Sequence, residues 1–144
     1  MMPRGHLVFV FGTLKDGFPN FATNRGTRLP GVFRTQSPYP LYLVGDRCVP
    51  WLVDAPGTGM RVAGQVFEVD DDTLAAMDRL ERISEPDGYR RHFLALEGGE
   101  PSRVLSAHAY VKSPDQLVTS EVRAGPLAEY TLQHAALYRP RTAR

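Results

Sequence analysis

The chain has 144 residues, of which 42% are hydrophobic and 23% are charged, and its formal net charge is +1. These values are ordinary for a soluble globular protein, and the length predicts one domain over residues 1–144 with its own core. The small net charge gives no support to binding of nucleic acid or a membrane surface, and the single cysteine, Cys48, excludes an intramolecular disulfide and a cysteine-pair zinc site.

The first predicted element is a buried strand over residues 7–11, an unbroken run of apolar, β-branched and aromatic residues. The run stops at Gly12, where a glycine allows a tight bend and the close approach of a ligand to bare backbone. Successive N–H groups in such a bend can converge on an anion, although a strand that simply turns is the alternative. The run is too short to span a membrane and no small-residue cleavage site follows it, so we expect a cytoplasmic protein.

Six further strands are predicted from short apolar or alternating runs, at residues 32–35, 39–45, 49–54, 62–69, 89–96 and 104–112. A short turn between the second and third of these predicts a hairpin. Helices are predicted at residues 19–25, where a proline lies near the start, and at residues 126–138, before a loose basic tail at 139–144. This order predicts an α+β fold, with a curled sheet or small barrel and helices outside it.

The clearest helix begins at residues 70–72, where three aspartates supply capping oxygens and negative charge. Leu74, Met77 and Leu80 recur at helical spacing and are expected to face the core. The helix is expected to end between residues 81 and 83, before a proline and a glycine.

Two carboxylates on this helix, Asp78 and Glu81, are three residues apart and therefore share a face. A carboxylate at the edge of the apolar stripe is desolvated, which raises its pKa and makes it a better general base near neutral pH. The alternative is that both are solvated, because Asp and Glu are rarely buried.

The usual cofactor and metal signatures do not occur in the sequence. The turn after Gly12 lacks the second glycine and the Ser/Thr of a P-loop, and the later glycines lack dinucleotide-binding spacing. The four histidines are scattered, and a lone cysteine such as Cys48 is more often packing than a nucleophile. We therefore expect no cofactor and no metal.

Three motifs follow one another along the chain. They are Phe11-Gly12-Thr13-Leu14 at a strand end, Met77-Asp78-Arg79-Leu80-Glu81 at a helix end, and Tyr89-Arg90-Arg91 at a strand start. In this order they resemble the γ-glutamylcyclotransferase superfamily, which includes the AIG2-like proteins, and most closely its γ-glutamylamine cyclotransferase branch. The resemblance covers about residues 7–110, with none beyond residue 113, and implies a small mixed β-barrel flanked by α-helices.

The resemblance also implies an activity, the conversion of a γ-glutamyl amide such as ε-(γ-glutamyl)-lysine to 5-oxoproline and a free amine. The α-amine of the substrate attacks its own side-chain carbonyl, so a tethered nucleophile replaces an enzyme nucleophile, a metal and a cofactor. Glu81 matches the family's general acid/base, Tyr110 would support substrate binding, and Asp78 would be structural, bonding backbone near the loop. The residues implied to bind the glutamyl head group are Phe11, Gly12, Thr13 and Leu14.

The chain departs from the family pattern at two positions. Phe11 stands in place of a tyrosine, so a hydroxyl near the loop is lost, and Met77 replaces a leucine of similar volume. Two other functions remain open: the same chemistry on another γ-glutamyl peptide or biosynthetic intermediate, and a non-catalytic binding module of the same fold. The expected partner is a small-molecule γ-glutamyl substrate, and neither nucleic acid nor a membrane.

Overall fold

The computed structural model describes residues 5–141. Its strands are β1 (His6–Val10), β2 (Thr27–Arg28), β3 (Phe33–Thr35), β4 (Leu41–Val44), β5 (Val49–Leu52), β6 (Ala63–Val69), β7 (Arg90–Gly98), β8 (Arg103–Val111) and β9 (Val122–Ala124). Its α-helices are α1 (Asp71–Leu80) and α2 (Leu132–Ala135), and single 3₁₀ turns lie at Phe21–Thr23, Pro114–Gln116 and Thr119–Glu121. No helix among these residues is long and apolar enough to cross a membrane.

Five strands close a mixed barrel in the ring order β1, β8, β7, β3, β6 and back to β1. β1 is parallel to β8 and antiparallel to β6, and the other neighbours in the ring are antiparallel. β2 adds to β6 outside the ring. The α+β class and the small mixed barrel flanked by helices, both expected from the sequence, are confirmed.

A second sheet of three strands, in the order β5-β4-β9, lies beside the barrel. β4 and β5 form the predicted hairpin, and Pro50 sits on the edge strand, where its missing N–H is tolerated. The sheet is joined to β8 at residue 112, because Lys112 donates its N–H to the Leu52 carbonyl and accepts from the Asp54 N–H, both at 2.8 Å. This junction brings the end of β5 next to the end of β8.

Apolar side chains form two clusters. One fills the barrel and the space under the second sheet, and includes Phe9, Phe33 and Tyr130. The other lies between α1 and strands β1, β6 and β8, where Met77 is fully buried. Leu80 was expected to face the core but is 37% exposed, because it ends the helix where the cluster stops.

The helix predicted over residues 126–138 is wrong except for α2 at Leu132–Ala135. The preceding segment is extended, since Leu127 donates to the Leu41 carbonyl and the Ala128 carbonyl accepts from Ala63, both at 2.8 Å. Tyr130 is fully buried and its carbonyl accepts a hydrogen bond from Lys15 Nζ. Long-range pairing thus overrides local helix propensity here.

The helix predicted over residues 19–25 is also shorter in the structure, a single 3₁₀ turn at Phe21–Thr23. The last three residues of the basic tail predicted at 139–144 lie outside the described residues.

Candidate active site

A cavity of about 1000 Å³ opens where the end of β1, the C-terminal end of α1, the β4–β5 hairpin and the C-terminal segment meet. All six residues that the sequence singled out for catalysis or binding line this cavity. They are Phe11, Gly12, Thr13, Leu14, Glu81 and Tyr110. Cys48 does not line it and packs against the core instead.

The loop after β1 bends at once, because Lys15 donates its N–H to the Gly12 carbonyl at 3.1 Å. A Cβ on Gly12 would lie 2.8 Å from Cγ of Pro50, so the close contact between the loop and β5 requires glycine. Within residues 5–141, the N–H groups of Gly12, Thr13 and Leu14 donate to no protein acceptor. Adjacent free N–H groups at a cavity wall favour an anion or a polarised carbonyl oxygen.

Two asparagines hold this loop in place. Asn20 Nδ2 donates to Thr13 Oγ1 at 2.8 Å, and the Asn20 N–H donates to the Thr13 carbonyl at 2.8 Å. Asn24 is buried and its Nδ2 donates to the Leu14 carbonyl at 3.1 Å. Sequence reasoning did not assign a site role to either residue, since an asparagine in a turn-rich segment is ordinary.

Glu81 is the residue that caps the C-terminal end of α1. Its N–H donates to the Met77 carbonyl at 2.9 Å, and its own carbonyl accepts from Tyr89 at 3.0 Å, so its backbone is fixed on both sides. Burial raises the pKa of Glu81 to about 7, and the charge of Lys112 opposes that rise. A carboxylate with this pKa can take up and release a proton near neutral pH.

Lys112 is a cavity residue that sequence reasoning missed. It is only 4% exposed, and its Nζ donates to the Asp87 carbonyl at 2.6 Å. The ammonium also lies over two aromatic rings, 4.3 Å from the centre of Trp51 and 4.6 Å from that of Tyr89. Burial lowers the pKa of Lys112 to about 8, although Asp87 and Glu81 oppose this. Glu81 therefore faces a buried cation inside the cavity.

Tyr110 and Asp78 form a pair beside the cavity. The Tyr110 hydroxyl donates to Asp78 Oδ1 at 2.6 Å, and Arg91 Nε lies 3.1 Å from the same oxygen. Burial, with the Asp78 carboxylate, raises the pKa of Tyr110, so this phenol stays protonated. Asp78 therefore contacts side chains, whereas the sequence suggested a bond to backbone near the loop.

The C-terminal segment contributes one wall of the cavity through Tyr138, Pro140 and Arg141. Reciprocal hydrogen bonds at 2.9 Å hold it in place: the Arg139 N–H donates to the Arg47 carbonyl, and Arg47 Nε donates to the Arg139 carbonyl. The Tyr138 hydroxyl also accepts from Asn20 Nδ2 at 3.3 Å. One asparagine thus links this wall to the loop after β1.

A family model described as "Gamma-glutamyl cyclotransferase, AIG2-like" matches residues 8–132. The sequence led us to expect a resemblance that ends before residue 113, but this match continues to residue 132. The last strand of the second sheet, β9, and the extended segment after it lie in the part of the match beyond residue 113.

Two relatives from Danio rerio are similar in sequence. Gamma-glutamylaminecyclotransferase B is 38% identical over 122 residues, 77% of this chain and 63% of the relative. Gamma-glutamylaminecyclotransferase C is 35% identical over 124 residues, 78% of this chain and 80% of the relative. The match thus spans less than two thirds of the first relative's length.

One crystal structure, of an AIG2-like protein from Mus musculus, is similar over almost the whole chain. It superposes with a TM-score of 0.82 at 26% sequence identity, and covers 99% of this chain and 100% of that one.

Proposed function

Because the chain belongs to the gamma-glutamyl cyclotransferase, AIG2-like family, we propose that it is a γ-glutamylamine cyclotransferase. It converts a γ-glutamyl amide such as ε-(γ-glutamyl)-lysine to 5-oxoproline and a free amine, acts on a small-molecule substrate, and works in the cytoplasm. The observation that carries the proposal is one cavity that contains both Glu81, with a pKa of about 7, and a loop of free backbone N–H groups. The names of the two Danio rerio relatives support the substrate class.

Binding of the glutamyl head group is the first task of the site. The N–H groups of Gly12, Thr13 and Leu14 bind its negatively charged or polarised oxygens, and the contact with Pro50 keeps them in place. Phe11 brings no hydroxyl to this end of the cavity, so binding there depends on backbone rather than on a side chain. The bound substrate is held in the rotamer that brings its α-amine to its own side-chain carbonyl carbon.

The chemical step needs one group that moves a proton twice. Glu81 accepts a proton from the α-ammonium, and the neutral amine attacks the side-chain carbonyl carbon to close a five-membered ring. Glu81 then returns the proton to the departing nitrogen as its bond to carbon breaks. It next carries the second proton of the ring nitrogen to the released amine, so that 5-oxoproline and the amine in its ammonium form leave. The positive charge of Lys112 lowers the pKa of Glu81. Protonated Glu81 therefore stays acidic enough to return that proton to the departing nitrogen.

The proposal is tested by incubating the purified protein separately with ε-(γ-glutamyl)-lysine, γ-glutamyl-alanine and glutathione, and measuring 5-oxoproline by mass spectrometry. We expect 5-oxoproline from the lysine isopeptide and little or none from the other two. Turnover of γ-glutamyl-alanine or glutathione instead would assign the same chemistry to a different γ-glutamyl substrate. Absence of 5-oxoproline from all three would contradict the proposal and favour a binding role.

A further inference from the structure

The Tyr110 hydroxyl has its only proton bonded to a carboxylate. Tyr110 lines the cavity and is 3% exposed, and its hydroxyl donates to Asp78 Oδ1 at 2.6 Å. Asp78 is not one of the residues that line the cavity. A phenol has one proton to donate and can also accept a hydrogen bond, and burial with the Asp78 carboxylate raises the pKa of Tyr110, so the proton stays on its oxygen. Toward a molecule in the cavity, this oxygen therefore acts only as an acceptor.

Three elements of the fold fix Asp78 and Tyr110 against each other. Arg91 on β7 and Tyr110 on β8 are directly opposite in the strand register, so both side chains lie on the sheet face that α1 covers. Arg91 Nε lies 3.1 Å from the same Oδ1 of Asp78, whose side chain is 19% exposed. On its other side, Arg91 Nη1 lies 3.2 Å from Nδ1 of His108. The Asp78 carboxylate is thus held beside the phenol by its charge partner.

Two phenols lie close to the proposed base, and they differ in what they can bind. Burial raises the pKa of both Tyr110 and Tyr89, and the charge of Glu81 adds to the rise in each. The Tyr89 hydroxyl donates to the neutral Pro50 carbonyl at 2.7 Å, and the Lys112 ammonium lies 4.6 Å from the centre of its ring, where it repels a second cation. Tyr110 donates to a carboxylate instead, which makes its oxygen a stronger acceptor. Tyr110 is therefore the phenol suited to a positively charged donor.

The exposed carboxylates of the cavity are less suited to that task. Within residues 5–141, three carboxylates other than Glu81 line the cavity, and all three belong to exposed residues: Asp46, Asp87 and Glu121. Asp46 and Asp87 already pair with Arg123 and Arg82. Exposed charges are screened by water and bind a cation weakly.

The glutamyl head group carries both a carboxylate and an ammonium on its α-carbon. The carboxylate needs donors, which the loop after β1 supplies, and the ammonium needs acceptors. Glu81 is one acceptor, because the base must contact that nitrogen. We propose that Asp78 is a positioning residue, which fixes the Tyr110 hydroxyl so that its oxygen accepts a hydrogen bond from the substrate α-ammonium beside Glu81. This inference rests on the function proposed above.

Two ligands that differ only in the α-ammonium test the inference. They are ε-(γ-glutamyl)-lysine, the substrate, and ε-glutaryl-lysine, which has a hydrogen in place of the amine and cannot cyclise. The measurements are kcat and KM for the first and the inhibition constant Ki of the second, for the wild type, Tyr110→Phe, Asp78→Ala and the double variant. Asp72→Ala is the matched control, because Asp72 is exposed in the first turn of the same helix and is not a cavity residue.

We expect KM to rise about tenfold in Tyr110→Phe and in Asp78→Ala, with a smaller change in kcat, the effect of one hydrogen bond to a charged group of the bound substrate. Because Asp78 acts through Tyr110, the double variant should also lose about tenfold, not the roughly hundredfold of two independent effects. Asp78→Asn keeps an acceptor oxygen and should restore part of the loss. The Ki of ε-glutaryl-lysine should stay within about twofold of the wild-type value in every variant, which separates lost ammonium binding from lost folding. Asp72→Ala should match the wild type.

A wild-type KM in Asp78→Ala, additive losses in the double variant, or an equal rise in the Ki of ε-glutaryl-lysine would overturn this inference and leave the proposed function in place. A raised KM in Tyr89→Phe with none in Tyr110→Phe would also overturn it, because the other phenol would then bind the ammonium. Absence of 5-oxoproline from ε-(γ-glutamyl)-lysine with the wild type would overturn the proposed function, and this inference with it.

Discussion

At the scale of single residues, Glu81 combines a stability penalty with the chemistry that the proposed reaction requires. The pKa of its carboxyl is about 7 in the folded protein, above the ordinary value of 4.5. The folded state holds this proton more tightly than the unfolded state, so protonation of Glu81 favours the folded state, and this contribution to the free energy of unfolding is fully present at low pH. The free energy of unfolding falls as pH rises from about 4.5 to about 7, and above that range ionised Glu81 destabilises the fold. Such a penalty is typical of catalytic groups.

This penalty predicts that Glu81→Gln stabilises the protein at pH 8. The amide keeps the shape of the side chain without the charge, so we expect the free energy of unfolding to rise by roughly 1–3 kcal/mol. At pH 4 both side chains are neutral and we expect no difference. Urea denaturation at the two pH values measures this, with the exposed Glu85→Gln as control. An equal effect of Glu81→Gln on the free energy of unfolding at both pH values would contradict the raised pKa of Glu81.

The charge of Lys112 predicts a shift in the pH dependence of activity. In the wild type we expect kcat/KM to rise with pH, with a midpoint near 7, as Glu81 ionises. Lys112→Met removes a charge that lowers the pKa of Glu81, so the midpoint should move to higher pH by up to about one unit. Lys112→Arg keeps the charge and should leave the midpoint near the wild-type value. An unchanged midpoint in Lys112→Met would show that the two groups do not interact.

At the scale of elements, local pattern sufficed for α1, most barrel strands and the β4–β5 hairpin. The aspartates before α1 and the alternation along β6 act within a few residues and are visible in the sequence. β9 was not predicted, because three residues that pair with β4 carry too little local signal. Lys112 was missed for a similar reason: its burial depends on rings at positions 51 and 89, which are distant in sequence.

In the candidate site as well, some residues were found from sequence motifs and others were missed. The loop after β1 and Glu81 were found from motifs, and both line the cavity. The asparagines that hold the loop were missed although they bond Thr13 and Leu14 close by in sequence, because an asparagine in a turn-rich segment is ordinary. The wall formed by the C-terminal segment was missed because its contacts, such as the hydrogen bond between Asn20 and Tyr138, join positions more than a hundred residues apart.

Asn20 tests whether the loop after β1 must be held in place. Asn20→Ala removes the side-chain hydrogen bonds to Thr13 Oγ1 and the Tyr138 hydroxyl, and we expect kcat/KM for the lysine isopeptide to fall about tenfold. Tyr138→Phe removes only the second, longer bond and should have a smaller effect. Steady-state kinetics of both variants measure this. Wild-type kcat/KM in Asn20→Ala would contradict a positioning role for this side chain.

At the scale of the whole molecule, the cavity is assembled from parts that meet only in the complete fold. The barrel supplies the loop after β1 and Tyr110, α1 supplies Glu81, and the second sheet supplies Trp51. The C-terminal segment closes one side without contributing to the core beyond Tyr130 and its neighbours. The last residues of the chain therefore matter more for the shape of the cavity than for the stability of the fold.

That separation predicts the effect of truncation. A chain that ends at Leu137 lacks Tyr138, Pro140 and Arg141 of the cavity wall but keeps both core clusters. We expect its Tm to stay within a few degrees of the wild-type value and its kcat/KM to fall at least about tenfold, because substrate is less well enclosed. A chain that ends at Arg141 is the control and should match the wild type. Full activity in the shorter chain would contradict a role for this wall.

The central claim is that this cavity closes a γ-glutamyl amide to 5-oxoproline with Glu81 as the proton carrier. The most direct test is mass-spectrometric measurement of products from ε-(γ-glutamyl)-lysine at pH 8, with the wild type and Glu81→Gln. We predict equal amounts of 5-oxoproline and lysine from the wild type, and a rate lower by about 10²–10⁴-fold in the variant. Glutamate in place of 5-oxoproline, or a wild-type rate in Glu81→Gln, would contradict the account.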